Sequence, residues 1–328
     1  MALIEKLENI GNAIRNKTGK TDLLTLDEMV TEIGNIETGG GSGEGSGDLD
    51  WSAIGYEGTP QYIKDNYDYA VEIQNNWTPA TSLQNKFKDD KNIIIMPIVD
   101  TSNTTNFNSM FYACTNLKTI PLLDTSKGTN IESMFQSCTN LEYVPALNIS
   151  SAPSLRYCFN GCNNLKTIPL LDTSNITNFN ATFQDCKKIE TVPQLDTSKG
   201  TNMYSMFYGC TNLKSIPLLD TGKATAINRV TNSCTKLETI GGFLNLGKGY
   251  TQNSSNNSSY GLDLSSNNSL THDSLMNVIN NLYDLNLTYD VANSGTLYTQ
   301  QLILGSTNIG KLNSSELELA TSKGWTVL

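Results

Sequence analysis

The chain has 328 residues, and its 22 Lys and Arg against 32 Asp and Glu give a formal net charge of −10. Binding nucleic acid by phosphate neutralisation needs clustered basic residues, so this acidic balance argues against that class of partner. No apolar run reaches the roughly 20 residues of a membrane helix, and the polar start of the sequence favours neither membrane insertion nor Sec export. His272 is the single histidine, which disfavours histidine-based metal sites and Ser-His-Asp triads.

Apolar residues recur at helical spacing in two short segments of residues 1–37, and Gly19 separates the segments as a C-cap. Helices this short bury too little surface against each other to be stable alone. Two interpretations stay open, a frayed hairpin and a helical hairpin for tail docking or oligomerisation, and unpaired apolar faces favour the second. The residues predicted to dock are Leu7, Ile10, Ile14, Met29 and Ile33.

Residues 38–48 are rich in Gly and Ser and predict a flexible linker. Residues 49–91 predict an N-terminal cap module, because Thr59 and Pro60 have the chemistry of the N-cap and first position of a helix. A second short helix is predicted to begin at Thr81. We expect this module to cover the open apolar end of the segment that follows it.

Residues 92–245 contain a repeat of 24 residues, which six cysteines and six prolines mark in the same register. A fixed period of this size predicts a stack of similar units. In one unit, residues 117–121 predict a short strand, with Pro121 at its end because proline has no N–H for a ladder. The same unit has apolar residues at the spacing i, i+3, i+4, i+7, which predicts one face of a short helical turn. These residues are Phe107, Met110, Phe111 and Cys114.

One such unit cannot bury its apolar side alone, but stacked units can. We therefore predict a β-rich solenoid of leucine-rich-repeat type, built from 24-residue coils with short parallel strands and short helical turns. The repeat decays at its end, where Thr231 stands in the place of Phe207. Residues 246–328 predict an α+β C-terminal cap, with helices that begin after the capping residues Thr271 and Asn313.

Three columns of ionisable or reactive residues run through the repeats. The cysteines could form disulfides, bind a metal or pack as small apolar side chains, and we favour packing. The Asp of each Asp-Thr-Ser could bind a cation or close an Asx turn, and we favour the turn. A third column alternates in sign and predicts a surface ion ladder that sets the register of the coils. The alternating residues are Lys118, Glu142, Lys166, Glu190, Lys214 and Glu238.

The two positions between the repeat Phe and Cys vary most from unit to unit, and we expect them to face solvent. Tyr, Asn and Gln side chains there suit adaptable contacts with glycans or proteins, and an ordinary polar face is the alternative. The candidate ligand surface consists of Tyr112, Gln136, Asn160, Gln184, Tyr208 and Asn232. No catalytic residue, metal site or cofactor is predicted, and the pair His272-Asp273 is interpreted as structural.

The motif Met-Phe-x-x-Cys-x-x-Leu-x-x-Ile-Pro-x-Leu-Asp-Thr-Ser resembles BspA-type leucine-rich repeats. Such repeats occur in bacterial surface proteins and in tail proteins of phages that infect low-GC bacteria. Residues 10–29 resemble a short module at the N-terminus of phage tail fibre and receptor-binding proteins, and residues 304–327 resemble the C-terminal cap of the same proteins. The resemblance implies a location in the virion tail and supplies no catalytic residue.

These features predict a non-enzymatic tail protein of a phage or phage-like particle. Its repeats would bind a bacterial cell-surface component, either a glycan or a protein, and its N-terminus would bind other tail or baseplate proteins. Tail adhesins are usually symmetric, so we expect a homo-oligomer and favour a trimer. The alternatives are a bacterial surface adhesin with the same repeats and a purely structural tail or baseplate component.

Overall fold

The structure is a computed structural model, and it describes residues 69–70, 72–97, 99–168, 171–248, 261–288 and 300–328. The chain divides into two units, Met1–Asn76 and Trp77–Leu328. In the first unit, residues 69–70 and 72–75 are helical. The predicted N-terminal hairpin, the linker and most of the predicted cap module lie outside the described residues. Among the helices in these ranges, none combines the length and apolar character that crossing a bilayer requires.

The second unit contains the repeats, and each repeat pairs with the next in a parallel register of 24 residues. Isolated parallel bridges join Asn106 to Asn130 and Asn178 to Asn202. The strands of the later repeats are two residues long. Pro217, which has no N–H for a ladder, follows the first of them, and Gly241 and Gly242 stand at the equivalent break of the next repeat. These strands are β1 (Ser215–Ile216), β2 (Leu219–Asp220), β3 (Thr239–Ile240) and β4 (Phe243–Leu244). β1 pairs with β3 and β2 pairs with β4, both in parallel, which confirms a repeat-type fold with short parallel strands.

The prediction of a short helical turn in each repeat is wrong. The Met110 N–H does donate within the repeat, to the Phe107 carbonyl at 3.1 Å. The Ser109 N–H instead donates to the Glu132 carbonyl of the next repeat at 3.0 Å, and Ser109 has a φ of 53°. Alternate N–H groups therefore serve the turn and the neighbouring repeat, and a continuous helix would keep all of them to itself. The segment is a series of tight turns that mimics helical spacing because Phe and Cys still face inward.

The first of these turn segments lies at residues 83–90, where the sequence predicts a second helix of the cap. The Leu83 N–H donates to the Asn106 carbonyl at 2.8 Å, and the Phe87 N–H donates to the Met110 carbonyl at 2.9 Å. The helix predicted to begin at Thr81 is therefore wrong, because the segment has the hydrogen bonds of a repeat. Repeat-type pairing thus begins inside the residues 49–91 assigned to the cap.

The core of the repeats is a column of stacked aromatic rings. Phe111 and Phe135 have ring centroids 5.6 Å apart and an interplanar angle of 4°. Neighbouring rings along the rest of the column are 5.5–5.8 Å apart. Trp77 extends the column at its first end, 6.3 Å from Phe87. The stacked phenylalanines are Phe87, Phe111, Phe135, Phe159, Phe183 and Phe207.

The C-terminal segment combines a three-stranded parallel sheet with helices. The sheet has the order β5 (Gly261–Asp263), β6 (Gln301–Ile303) and β7 (Thr326–Val327). The helices are α1 (His272–Asn280), α2 (Gly305–Ile309) and α3 (Ser314–Ser322), with a 3-10 helix at Leu285–Thr288. The predicted N-cap residues of α1 and α3 are confirmed. The Thr271 side chain accepts from the Ser274 N–H, and Asn313 forms a capping box with Glu316.

A buried asparagine closes the aromatic column at its second end. Thr231 occupies the position of the repeat Phe, and its hydroxyl donates to the Asn267 side chain at 3.0 Å. The Asn267 amide in turn donates to the carbonyls of Thr231 and Cys234, at 2.9 and 3.1 Å. The column therefore ends on side-chain hydrogen bonds from the C-terminal segment in place of a further stacked ring.

Candidate functional site

The outward side chains of the turn segments form one surface, which we name the turn face. In each repeat it consists of the positions equivalent to residues 108, 109, 112 and 113. Hydrogen bonds hold it in register: the Ala113 N–H donates to the Gln136 carbonyl at 2.7 Å, and the Gly161 N–H donates to the Gln184 carbonyl at 2.7 Å. The structure brings the six predicted ligand residues together in one column of this face. All six are half-buried: Tyr112, Gln136, Asn160, Gln184, Tyr208 and Asn232.

Several of these six side chains already have polar or cationic neighbours. The ammonium of Lys88 lies 5.0 Å from the centre of the Tyr112 ring. The Asn232 amide donates to Asp263 at 3.1 Å, which ties the last member of the column to β5. The prediction that they face solvent is therefore only partly met, because they lie between the core and the surface.

A second row of the turn face was missed from the sequence. Arg156 and Tyr204 are exposed in this row, and the Arg156 guanidinium lies 4.7 Å from the centre of the Tyr157 ring. Tyr157 has a φ of 56°, at a position where the two preceding repeats have serine. A bulky residue in the left-handed region is uncommon. The signal available in the sequence was this replacement of a small residue by tyrosine.

The cysteine column is a packing column, as predicted. All seven cysteines are free and buried. The Cys138 thiol donates to the Phe111 carbonyl at 2.9 Å, and the Cys162 thiol donates to the Phe135 carbonyl at 3.1 Å. Burial raises the pKa of the Cys114 and Cys234 thiols to about 12. The thiols therefore remain protonated and serve the core as small side chains with one donor.

The aspartate column closes Asx turns, as predicted. Asp124 accepts from the Ser126 N–H at 3.0 Å and from the Ser126 hydroxyl at 2.6 Å. Asn148 has the same two contacts with Ser150, at 3.2 and 2.8 Å. The Ser126 hydroxyl and N–H hold the pKa of Asp124 below its usual value. Within the described residues, no group of three or more His, Cys, Asp or Glu side chains is placed to hold a metal ion.

The predicted alternation of charge produces ion pairs between successive repeats. Lys166 lies 2.6 Å from Glu142, and Lys214 lies 2.7 Å from Glu190. The backbone joins the same column, since the Glu190 carbonyl accepts from the Lys214 N–H at 2.9 Å. The pair raises the pKa of Lys214 and lowers the pKa of Glu190. These pairs are half-exposed, so each contributes little to stability.

His272 links two helices of the C-terminal segment. Its Nε2 atom lies 2.9 Å from Glu316, and its Nδ1 atom lies 3.3 Å from Asp273. Glu316 also accepts from the Asn313 N–H at 2.9 Å. The hydrogen bond with Glu316 raises the pKa of His272 above its usual value. The histidine is thus a contact between α1 and α3, as the structural interpretation expects.

The docking residues predicted in the N-terminal hairpin lie outside the described residues. Their role stays a prediction, and no contact of Leu7, Ile10, Ile14, Met29 or Ile33 is described.

Two overlapping parts of the chain, residues 81–166 and 142–243, match a family model described as "Mycoplasma protein of unknown function, DUF285". Together they span the segment in which the structure shows pairing at 24 residues. The repeats are of the BspA-like type. The match begins at residue 81, where repeat-type hydrogen bonds also begin. Neither the comparison with curated proteins nor the comparison with solved structures found a match.

Proposed function

We propose that the BspA-like repeats form a leucine-rich-repeat solenoid that attaches a phage or phage-like tail to a bacterial cell-surface component. The turn face is the observation that carries this proposal. Its side chains stand on a backbone that hydrogen bonds join from repeat to repeat, and the phenylalanine rings of the same turn segments are stacked 5.5–5.8 Å apart. Repeat proteins use such extended, rigid surfaces for binding.

The proposal includes no catalysis, because in the described repeats the columns of ionisable and thiol side chains already have structural roles. The aspartates close turns, the cysteines are buried donors, and the Lys and Glu column forms pairs between repeats. His272 holds α1 to α3. A binding surface made of Tyr, Asn, Gln and Arg needs none of these groups.

The virion location is supported by resemblance alone. Residues 10–29 resemble an N-terminal module of phage tail fibres, and residues 304–327 resemble their C-terminal cap. In this proposal, residues 1–37 dock the chain on other tail or baseplate proteins, and the Gly- and Ser-rich linker lets the repeats reach their target. Copies of the chain assemble into a homo-oligomer, and a trimer is favoured.

A bacterial surface adhesin is the second candidate, because BspA-type repeats also occur in bacterial surface proteins. The family model that matches the repeats is described from Mycoplasma, which is a bacterium, and its description gives no function. Antibodies against the chain separate the two candidates when purified particles and washed cells from one culture are compared. Label on particle tails supports the first candidate, and label on cells that carry no particles supports the second.

Binding of the fluorescent full-length chain to a panel of low-GC bacteria tests attachment itself. We expect saturable binding to some strains, which unlabelled chain displaces. A variant with Tyr204→Ala and Tyr208→Ala should bind less, and Tyr143→Ala, which changes a half-buried tyrosine outside the turn face, serves as the control. Failure to bind any strain, with the chain present in particle tails, would favour a purely structural tail component.

A further inference from the structure

The column of alternating charge remains open to solvent, although its members form ion pairs within the chain. The Lys166 and Glu142 side chains are 52% and 39% exposed, and those of Lys214 and Glu190 are 50% and 60% exposed. Each of these charged groups therefore keeps part of its surface available for a further partner. The column has six members: Lys118, Glu142, Lys166, Glu190, Lys214 and Glu238.

Two exposed leucines lie beside this column. Leu122 is 69% exposed and Leu218 is 40% exposed. They occupy the same position of the repeat, four residues after Lys118 and Lys214. One exposed leucine is ordinary, but two at one repeat position form an apolar column next to a charged one. We name these two columns together the strand face.

The order of the charges makes the strand face complementary to itself. The column has an even number of members, so it begins with a lysine and ends with a glutamate. When a second copy overlaps fully in the reversed direction, each lysine therefore faces a glutamate. Full overlap in the same direction makes each lysine face a lysine, which is unfavourable. The facing pairs are Lys118 with Glu238, Glu142 with Lys214, and Lys166 with Glu190.

The sizes of the side chains in the apolar column fit the same reversed register, which the charges alone define. In this register Leu218 faces Ala146 of the second copy, and Ala146 is exposed. Leu122 faces the break at Gly241 and Gly242, and Gly241 is exposed. Both exposed leucines thus face the smallest residues of the column, where a second copy has room for them.

We propose that the strand face binds a second copy of the chain in the antiparallel direction, with a twofold axis between Lys166 and Glu190. Such an interface is isologous, because the same patch of both copies forms it. The facing charges set its direction, and the leucines supply its apolar contacts. The inference goes beyond the proposed attachment function and does not depend on it, because the turn face is a different surface.

The dimensions of the strand face predict how strong this pairing is. Six strands spaced about 4.8 Å apart give a length of about 24 Å, and four residues at about 3.3 Å each give a width of about 13 Å. Stable complexes bury about 800 Å² of each partner, so this contact is small. We therefore expect weak pairing that depends on protein concentration and that salt reduces.

The test reverses the two central charges separately and then mixes the two variants. In Glu190→Lys the introduced lysine faces Lys166 of the second copy, and in Lys166→Glu the introduced glutamate faces Glu190. Each variant alone therefore has like charges at two symmetric contacts, and we expect its dissociation constant to rise at least about tenfold. An equimolar mixture has opposite charges at both contacts, and we expect pairing to return.

Mixing separates this inference from the effect of the charges within one chain. Each variant also has like charges along its own column, and a second copy does not remove that repulsion. Sedimentation of the full-length chain from about 1 µM to about 1 mM measures the mass of the assembly. We expect the native chain and the mixture to reach twice the mass of either variant alone, whether or not another contact also joins copies.

Two charge reversals outside the strand face are the matched controls. Lys199→Glu and Glu318→Lys change exposed residues, and neither variant nor their mixture should change the mass. Leu122→Asp changes a side chain that is 69% exposed, so the fold should tolerate it, and it should raise the dissociation constant about tenfold. Circular dichroism of each variant establishes that it is folded.

Three results would overturn the inference. The first is a native chain with the same mass as the charge-reversed variants over the whole range of concentration. The second is pairing of either variant alone as strongly as the native chain. The third is loss of pairing in both variants without recovery in the mixture. Binding of the same variants to cells tests attachment separately, because their turn face is unchanged.

Discussion

At the scale of single residues, the turn segments depend on backbone conformations that most side chains disfavour. Two positions per repeat have a positive φ, among them Ser109 at 53° and Ala113 at 57°. For an L-residue this conformation costs about 1–2 kcal/mol. This cost is offset because the conformation points alternate N–H groups at the next repeat. The Ala113 N–H, for example, donates to the Gln136 carbonyl at 2.7 Å.

Glycine should therefore stabilise the protein at one of these positions. Gly161 and Gly209 already occupy the equivalents of Ala113, both with a φ of 74°. We expect Ala113→Gly to raise the free energy of unfolding by about 0.5–1 kcal/mol. The matched control is the exposed Ala146, which is not among the residues with positive φ. Ala146→Gly should lower the free energy of unfolding by a similar amount. Urea unfolding measures both changes. If the two substitutions change the free energy of unfolding in the same direction, the conformational explanation is contradicted.

The thiols offer a second prediction at this scale. All seven are buried, and burial raises their pKa, to about 12 for Cys114. The thiolate is the reactive form, so a chromogenic disulfide reagent at about pH 8 should titrate almost no thiol in the native protein. The same reagent should titrate all seven after denaturation. Rapid reaction of even one thiol in the native state would contradict the packing described for this column.

At the scale of elements, the C-terminal segment provides what a further repeat would provide. The described repeats present Phe207 as the last ring, and the Asn267 side chain replaces the next one with hydrogen bonds to Thr231 and Cys234. α1 then joins α3 through His272 and Glu316. The cap is thus tied together by polar contacts at its surface and by an amide at its core.

The contact between α1 and α3 should depend on pH. Glu316 raises the pKa of His272 above 6.5, and His272 helps to lower the pKa of Glu316 below 4.5. The stability from the charged histidine is fully present below about 6.5 and is lost as pH rises through the raised folded pKa, while protonation of Glu316 removes it in acid. Relative to His272→Gln, the native protein should gain stability near pH 5–6 and lose that gain by about pH 8. The effect is small because the group is exposed.

Urea unfolding of both proteins across this pH range measures the difference. Glu318→Gln, which changes an exposed carboxylate of the same helix, is the control. A difference that grows toward pH 8 would show that the histidine is not charged in this contact.

At the scale of the whole molecule, the same contacts recur in every repeat, so an error of register costs little unless something marks each repeat as different. The alternation of Lys and Glu is such a mark, because a shift by one repeat places like charges side by side. In the structure, the ion pairs Lys166–Glu142 and Lys214–Glu190 join successive repeats through opposite charges.

Reversing one charge should therefore weaken the stack in a salt-dependent way. Glu190→Lys places a cation between Lys166 and Lys214, so we expect lower stability at low salt and partial recovery at high salt. The neutral control Glu190→Gln should show a smaller loss and less recovery. Thermal unfolding at two salt concentrations measures both. Equal behaviour of the two variants would show that the alternation has no electrostatic role.

The sequence by itself determined the period, the register and the identity of the buried residues. Recurrence at 24 residues is a property of the chain, and inward positions such as Phe111, Cys114 and Leu117 must repeat with it. It also determined the Asx turns and helix caps, because those hydrogen bonds join residues two or three apart, as in Asp124 with Ser126.

Only the tertiary structure decided how the backbone runs between Phe107 and Cys114. Helix and serial turn place the same residues inward, and the choice depends on whether each N–H bonds within its repeat or to the next one. That partner is 23 residues away, as for Ser109 and Glu132, so no local pattern reveals it.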